Sequence, residues 1–347
     1  MKGVFIIASF CLGEGVFSQS TNLFDSEQVI ELTLSSDLKA VFRDRGDDPE
    51  YHPASLHYES ENQVIHLPVK IKTRGHFRKL SENCNYPPFK LNFSKSTILV
   101  NTLFEGQNKL KLVTPCRSDK LVIHEYLVYK LYNLLTPKSF KVRLVKVIFH
   151  DSHEDENSDS YYAILIEDET QMASRNQAIS IEEIGLRPEN TRRPDFLRMA
   201  LFQYMIGNTD WSVQYQQNIK LLAADSIGIK SVVPYDFDHA GIVRAAYAKP
   251  AAALKMKSKF ERRYRGFCIS QMFEYSEIFE IFRQKKNEIY SLYEDNFLLS
   301  EKYKKQTIKF LDQFYKTINN PKKAKRAFTY PCKTTGTENV VIKGMKY

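Results

Sequence analysis

The sequence predicts an α+β protein in two parts, a strand-rich N-terminal half that holds one helix and a helical C-terminal half. Three observations predict it. Apolar residues alternate with period two through much of residues 30–146, one segment of period 3.6 interrupts them, and helical periodicity takes over after Asp168. The alternating segments are 29–34, 67–72, Phe89-Lys90-Leu91-Asn92-Phe93 and Lys109-Leu110-Lys111-Leu112-Val113. The helix lies over 118–135, where Leu121, Val122, Tyr126, Tyr129, Leu131 and Leu134 repeat on one face and Thr136-Pro137 stops the chain. Strands at 142–149 and 161–166 follow, joined by an acidic loop. His150 and His153 sit among its carboxylates; the set offers metal ligands in principle and reads first as a solvated hairpin connection.

Beyond the extended connector Glu167-Asp168-Glu169, residues 194–206 are apolar on nearly all sides, which predicts a buried helix. It leads directly into Gly207-Asn208-Thr209-Asp210-Trp211. Residues 278–293 and 300–318 read as amphipathic helices, the second with Ile308, Leu311, Phe314, Tyr315 and Ile318 at helical spacing.

Composition bounds the possible functions. The 347 residues are 43% hydrophobic, enough to bury one large core or two packed lobes. The formal net charge of +9 favours phosphate-rich partners, yet 41 acidic residues are present and no basic cluster is interleaved with aromatics, so nucleic-acid binding is not expected. The run Lys322-Lys323-Ala324-Lys325-Arg326 reads as a solvated helix terminus.

Lys2, the apolar stretch 4–12 and Val16-Phe17-Ser18 have the pattern of an export signal cleaved after Ser18, which would put the mature chain in the periplasm or outside the cell. No later stretch reaches the roughly 18 apolar residues of a membrane-spanning helix. Cleavage leaves Cys84, Cys116, Cys268 and Cys332, which lack the paired spacing of a zinc site and suit two disulfides with three possible connectivities. The pairs expected are Cys84 with Cys116 and Cys268 with Cys332.

The segment after Asp210 reads as a β-hairpin. An apolar run follows Asn218, a polar turn lies at 223–226, and a second apolar run ends at Pro234-Tyr235-Asp236-Phe237-Asp238-His239. In an antiparallel hairpin the start of one strand lies beside the end of the other, so Asn218 and Asp236 should be neighbours, with Asp210 arriving from the preceding loop. Taken singly, these Asx residues are ordinary turn formers. Together they make an all-oxygen ligand set suited to Mg²⁺ or Mn²⁺, with a further carboxylate to orient an attacking hydroxyl.

Several motifs between residues 62 and 250 now come together: Thr73-Arg74-Gly75-His76-Phe77-Arg78, Pro87-Pro88-Phe89-Lys90-Leu91-Asn92-Phe93, Lys111-Leu112-Val113-Thr114-Pro115-Cys116, Ile166-Glu167-Asp168, Gly207-Asn208-Thr209-Asp210-Trp211 and Pro234-Tyr235-Asp236-Phe237-Asp238. With them the chain resembles the atypical kinases related to the spore-coat protein H (CotH) kinase-like family, in particular its exported Bacteroidetes-type members. The resemblance implies a two-lobed protein-kinase-like fold: residues 1–18 a signal peptide, 19–166 a strand-rich lobe, and 167–347 a helical lobe with the catalytic loop and metal site. It implies metal-dependent phosphoryl transfer from ATP to a protein hydroxyl. Asp210 would handle the hydroxyl proton, while Asn218 and Asp236 hold the metal and Asp238 shares or supports it. Lys90, or second to it Lys111, would neutralise phosphates and be anchored by Glu125. Arg74 and Arg78 of the Arg-Gly loop, and Glu167 in the connector, would complete the nucleotide side.

One spacing departs from the kinase pattern. Asn218 follows Asp210 by eight residues, where the usual interval is about five, and no glycine-rich phosphate loop is present. A catalytically inactive kinase-like scaffold is the alternative function. A metal-dependent hydrolase is a more distant one, with only His239 and Asp238 as extra ligands.

Overall fold

The computed structural model describes residues 22–93, 100–116, 118–266 and 272–328. The expected export signal, Cys268 and Cys332 lie outside these residues.

The N-terminal half is built from β1 (Ile30–Ser36), α1 (Leu38–Arg43), β2 (His52–Ser60), β3 (Gln63–Thr73), β4 (Phe89–Phe93), β5 (Lys109–Val113), α2 (Asp119–Leu135), β6 (Val142–Asp151), β7 (Glu156–Asn157) and β8 (Tyr161–Ile166). Strand order is β1-β2-β3-β4-β5-β8-β6, and β1 also pairs in parallel with β6, Ile30 opposite Val145. Seven strands therefore close on themselves as a mixed barrel, with β7 appended to β6. This corrects the expectation of a two-lobed kinase-like fold. An open strand-rich lobe has two free edges, whereas here β1 is paired on both sides and no such edge remains. Alternation in a sequence tells which face of a strand is buried but not which strand lies beside it, so closure was invisible.

The barrel interior is filled by alternate residues such as Leu34, Leu56, Val69, Leu91, Val147 and Leu165. The opposite face of β8 is buried as well. Ile164 and Ile166 belong to a second core with α2 and the C-terminal helices. That double burial explains why β8 carries no polar alternation.

α3 (Glu169–Arg175) is capped by the Asp168 side chain, which accepts the Thr170 N–H at 2.9 Å. β9 (Ile179–Ile181) joins β10 (Ile219–Ala223) and β11 (Ser231–Pro234) in a separate antiparallel sheet of order β11-β10-β9. α4 (Arg193–Ile206) is buried along most of its length, as its all-round apolar sequence requires. α5 (Ser276–Gln284) and α6 (Lys286–Glu294) replace the single helix expected over 278–293, with the break at Lys285. α7 (Glu301–Ile318) and α8 (Pro321–Phe328) complete the described chain. Among the described residues no helix is long and apolar enough to cross a membrane.

Candidate functional site

The site is assembled at the end of α4 and the base of the β10–β11 hairpin. α4 ends at Gly207, whose φ of +68° turns the chain sharply away from the helix. Asp210 follows, its backbone N–H donated to Asn208 Oδ1 at 2.9 Å. Ile219 pairs with Pro234, so the residues just outside the hairpin, Asn218 and Tyr235, face each other; the Tyr235 N–H donates to the Asn218 carbonyl at 3.1 Å. Both Asn218 and Asp236 take positive φ, +51° and +61°. Left-handed conformations at two non-glycine residues flanking one hairpin are a local cost that the surrounding packing must hold in place.

Asn218 Nδ2 donates to the Asp210 backbone carbonyl at 2.8 Å and to Asp210 Oδ2 at 3.0 Å; Gln217 Nε2 donates to Oδ1. The eight-residue interval thus returns Asn218 directly onto Asp210. Burial, with the charges of Asp236 and Asp238, pushes the Asp210 carboxyl up to about 6, against the opposing pull of His239 and Arg265.

α2 carries two anchors one turn apart. Glu125 Oε2 accepts from Arg78 Nη2 at 2.7 Å, and Arg78 Nε donates to Asp238 Oδ2 at 3.0 Å. Tyr247 Oη donates to the same Asp238 oxygen at 2.9 Å. Burial opposes the Arg78 charge, yet Glu125, Tyr247, Asp238 and Asp236 together hold the guanidinium well above its ordinary value. Burial likewise pushes Asp238 upward, but Arg78 and His239 outweigh it and keep its carboxyl low. From the next turn of α2, Tyr129 Oη accepts the Asp236 N–H at 2.8 Å. The anchor of Glu125 is therefore Arg78, and neither Lys90 nor Lys111 fills that place.

Lys90 and Lys111 are register partners on β4 and β5 and point to the same side. The Lys111 ammonium sits over the rings of Tyr235 at 4.8 Å and Phe140 at 5.2 Å. Burial pulls it down to about 7, helped by Arg74 and partly offset by Glu169 and Asp236. Burial also lowers Lys90, helped by Lys109, Arg74 and Lys72 and opposed by Asp168. Arg74 acts on Asp236, Lys111 and Tyr235 alike, so it lies at the mouth of the same site. Among the described residues neither Arg74 nor Lys111 has a carboxylate at ion-pair distance. Gly75, at φ +87°, has open space where a Cβ would lie. Glu167 has a different role: its carboxylate accepts from Arg175 Nε at 2.8 Å, Arg175 Nη2 at 2.9 Å and the Lys141 N–H at 2.9 Å, which ties α3 to the barrel.

Among the described residues no group of three or more His, Cys, Asp and Glu side chains is arranged to hold a metal. The donor set on offer includes an amide. The half-buried Asp236 carboxylate has no hydrogen-bond donor among the described residues, and burial and Asp238 push it upward. Asp238 Oδ1 and Asn218 Oδ1 are likewise without a donor there, because their hydrogen bonds run through Oδ2 and Nδ2. Four oxygens with unused lone pairs, two of them on a carboxylate without a hydrogen-bond donor among the described residues, fit a hard divalent cation.

Sequence reasoning missed Tyr129, Tyr247, Gln217 and Arg265. Arg265, stacked 5.1 Å from the Trp211 ring, donates Nη1 to the carbonyls of Thr209 and Trp211 and so fixes the Asp210 loop. Tyr129 was within reach, since it lies four residues after Glu125 on one helical face. Tyr247 and Arg265 come from irregular segments with no local pattern to mark them.

The acidic hairpin holds no such site: His150 Nε2 pairs with Asp155 Oδ1 at 3.0 Å and His153 Nε2 with Asp37 Oδ2 at 3.2 Å, on separate carboxylates. The expected Cys84–Cys116 disulfide is formed and ties the Arg78 loop to the segment ahead of α2. Compared with protein-family models and with curated proteins, the chain matches none.

Proposed function

We propose that the chain transfers the γ-phosphoryl group of ATP to a hydroxyl of a protein acceptor, with a divalent cation, Mg²⁺ or Mn²⁺, at Asp236, Asp238 and Asn218. One observation carries the reading: among the described residues Asp236 is a carboxylate without a donor, within electrostatic reach of two cations without carboxylate partners, Arg74 and Lys111. An isolated ion pair would satisfy itself. A cation-binding carboxylate beside unpaired cations instead suits a ligand that brings both a metal and phosphate oxygens.

Asp236, Asp238 and Asn218 would hold the divalent cation, which would supply positive charge against the phosphates. Arg74 and Lys111 hold the phosphate chain, and Gly75 lets the backbone approach it. Asp210 orients the acceptor hydroxyl and takes its proton as the oxygen attacks the γ-phosphorus. The new P–O bond forms as the bond to the β–γ bridging oxygen breaks, and that electron pair leaves on the nucleoside diphosphate. The Cys84–Cys116 disulfide supports work in an oxidising, exported compartment.

A second reading, a nucleotide-binding scaffold without transfer, draws on Gln217, which occupies one lone pair of Asp210 Oδ1 where an acceptor hydroxyl would donate. Incubation with γ-labelled ATP and Mg²⁺ or Mn²⁺ separates the two. We expect label on protein, at least about 10²-fold less in Asp210→Asn, and the same thermal stabilisation by ATP and metal in both. Stabilisation without transfer in the parent establishes the scaffold; neither stabilisation nor transfer overturns both.

A further inference from the structure

The charge of this chain is segregated. Twelve of the 50 basic residues and three of the 41 acidic residues follow Ser300, leaving 38 of each sign before it, so the whole net charge of +9 sits in residues 301–347. Within the described part of that segment, α7 and α8 carry nine basic and two acidic side chains.

The charge also has a direction. Lys302, Lys305, Lys309 and Lys316 are exposed. At about 100° per residue they fall within an arc of about 60° and form a stripe about 21 Å long. The opposite face buries Phe310, Leu311 and Phe314. None of the four lysines has an ion-pair partner among the described residues, whereas Lys304, off the stripe, pairs with Glu301 at 3.0 Å. Of the carboxylates along the groove beside them, Asp312 accepts the Tyr290 hydroxyl at 2.8 Å and Glu301 holds Lys304, which leaves Glu294. α8 packs on α7, buries Ala324 and Phe328, and leaves Lys322, Lys323 and Arg326 exposed. In the loop just ahead of α7, Phe297 is 88% exposed.

We infer that the α7–α8 face docks on a membrane surface rich in anionic phospholipid. Eight of the nine basic residues are lysines, point charges that suit a diffuse negative surface better than the forked recognition of one phosphate. The α7 aromatics Tyr303, Phe310, Phe314 and Tyr315 all point into the core, so α7 itself offers no ring for stacking nucleic-acid bases. A straight stripe of lysines on a rigid helix meets a plane along its whole length, and Phe297 adds an apolar group at its near end that can enter the headgroup layer.

The test is co-sedimentation of the full chain with vesicles of phosphatidylcholine alone and of phosphatidylcholine with phosphatidylglycerol. We expect binding only to the anionic vesicles, and its loss on raising the salt. Each lysine near such a surface contributes about fivefold in affinity, so the fourfold Lys→Gln variant at 302, 305, 309 and 316 should lose far more than tenfold, while the fourfold Lys→Arg variant keeps binding. Phe297→Ser should weaken it further. Equal binding to neutral vesicles, or undiminished binding by the Lys→Gln variant with its thermal unfolding unchanged, overturns the inference. So does retention on duplex DNA without binding to vesicles, which would assign the face to another polyanion.

Discussion

Gly241 donates its N–H to the carbonyl of Gly207 at 3.1 Å, and Ile242 donates to Ile206 at 3.0 Å, so the segment after Asp238 is laced to the end of the helix that delivers Asp210. Asp210 lies three residues after one glycine and Asp238 three before the other. A Cβ on Gly241 would stand 2.4 Å from the Lys259 carbonyl, a backbone atom that cannot swing aside. Gly241→Ala should therefore push the segment after Asp238 off the Lys259 backbone, cost about 1–3 kcal/mol as an overpacking change, and lower phosphoryl transfer beyond what the stability loss explains. Urea unfolding together with transfer assayed well below the melting temperature checks both parts. An alanine variant as stable as the parent would mean that the Lys259 carbonyl does not crowd Gly241.

Arg78 joins Glu125 of α2 to Asp238 across the site, with all three side chains buried. Removing one member of a buried ion network leaves the others uncompensated, so Arg78→Ala and Glu125→Ala should each cost about 3–5 kcal/mol. Replacing both by apolar groups of similar size, Arg78→Met with Glu125→Leu, removes one buried pair but leaves Asp238 with Tyr247 alone as its donor, so it should recover only part of that stability and leave transfer impaired, because Asp238 loses its positioning partner. Denaturant melts of the two single variants and the double variant make the cycle. Additive losses in the double variant would show that the side chains do not interact.

Asp236 presents the opposite case, a carboxylate that folding disfavours. Burial and Asp238 raise its folded carboxyl above the unfolded value, so its contribution to stability is greatest at acid pH and declines as pH rises through the folded value. At neutral pH, Asp236→Asn should thus leave the metal-free protein at least as stable as the parent while abolishing stabilisation by ATP with Mg²⁺. Melting curves with and without the nucleotide and metal read both. A clear drop in melting temperature without ligand would mean that the carboxylate has a structural partner.

The hairpin and the strands were legible in the sequence for a shared reason: their apolar period is local and bounded by turn residues. The antiparallel register follows almost directly, and Asn218 and Asp236 bracket β10 and β11 as it requires. Barrel closure was not legible, because the parallel pairing of β1 with β6 joins segments more than 100 residues apart whose patterns suit any neighbour. The same limit separates Glu125 from its partner. A strand lysine was expected, but the charge arrives from Arg78 in the loop after β3, whose path is set by the disulfide and by Arg45, which donates to the carbonyls of Cys84 at 3.0 Å and Asn85 at 2.8 Å. Sequence marks which residue types the chemistry needs; long-range packing decides which of them meet.

The Cys84–Cys116 bond closes a 32-residue interval and fixes the loop that bears Arg78. In the chain-entropy account such a loop is worth about 3–4 kcal/mol. Replacing both cysteines by serine should lower unfolding stability by about that amount and weaken transfer, since Arg78 lies six residues before Cys84 in the segment that the bond anchors. Denaturant melts of the parent with and without reductant, compared with the double-serine variant, test it. Insensitivity of the parent to full reduction would remove the bond from the stability account.

His124, beside Glu125 on α2, predicts how the fold responds to acid. Its ring lies flat on Tyr303, with centroids 3.5 Å apart, and Nδ1–H donates to the Val243 carbonyl at 3.0 Å. Burial pulls it down to about 4, helped by Arg244 and Lys120 and opposed by the bond to Val243. In the unfolded chain the same imidazole titrates near 6.5. Between these values the unfolded state binds the proton and the folded state does not. The stability owed to neutral His124 is therefore complete above about pH 6.5 and is lost progressively as pH falls towards 4, up to about 3 kcal/mol. His124→Gln keeps a donor for Val243 but does not titrate, so its melting temperature should fall less between pH 7 and pH 4.5 than that of the parent. Parallel pH profiles for the two proteins would mean that His124 takes up its proton without disturbing the contact between α2 and α7.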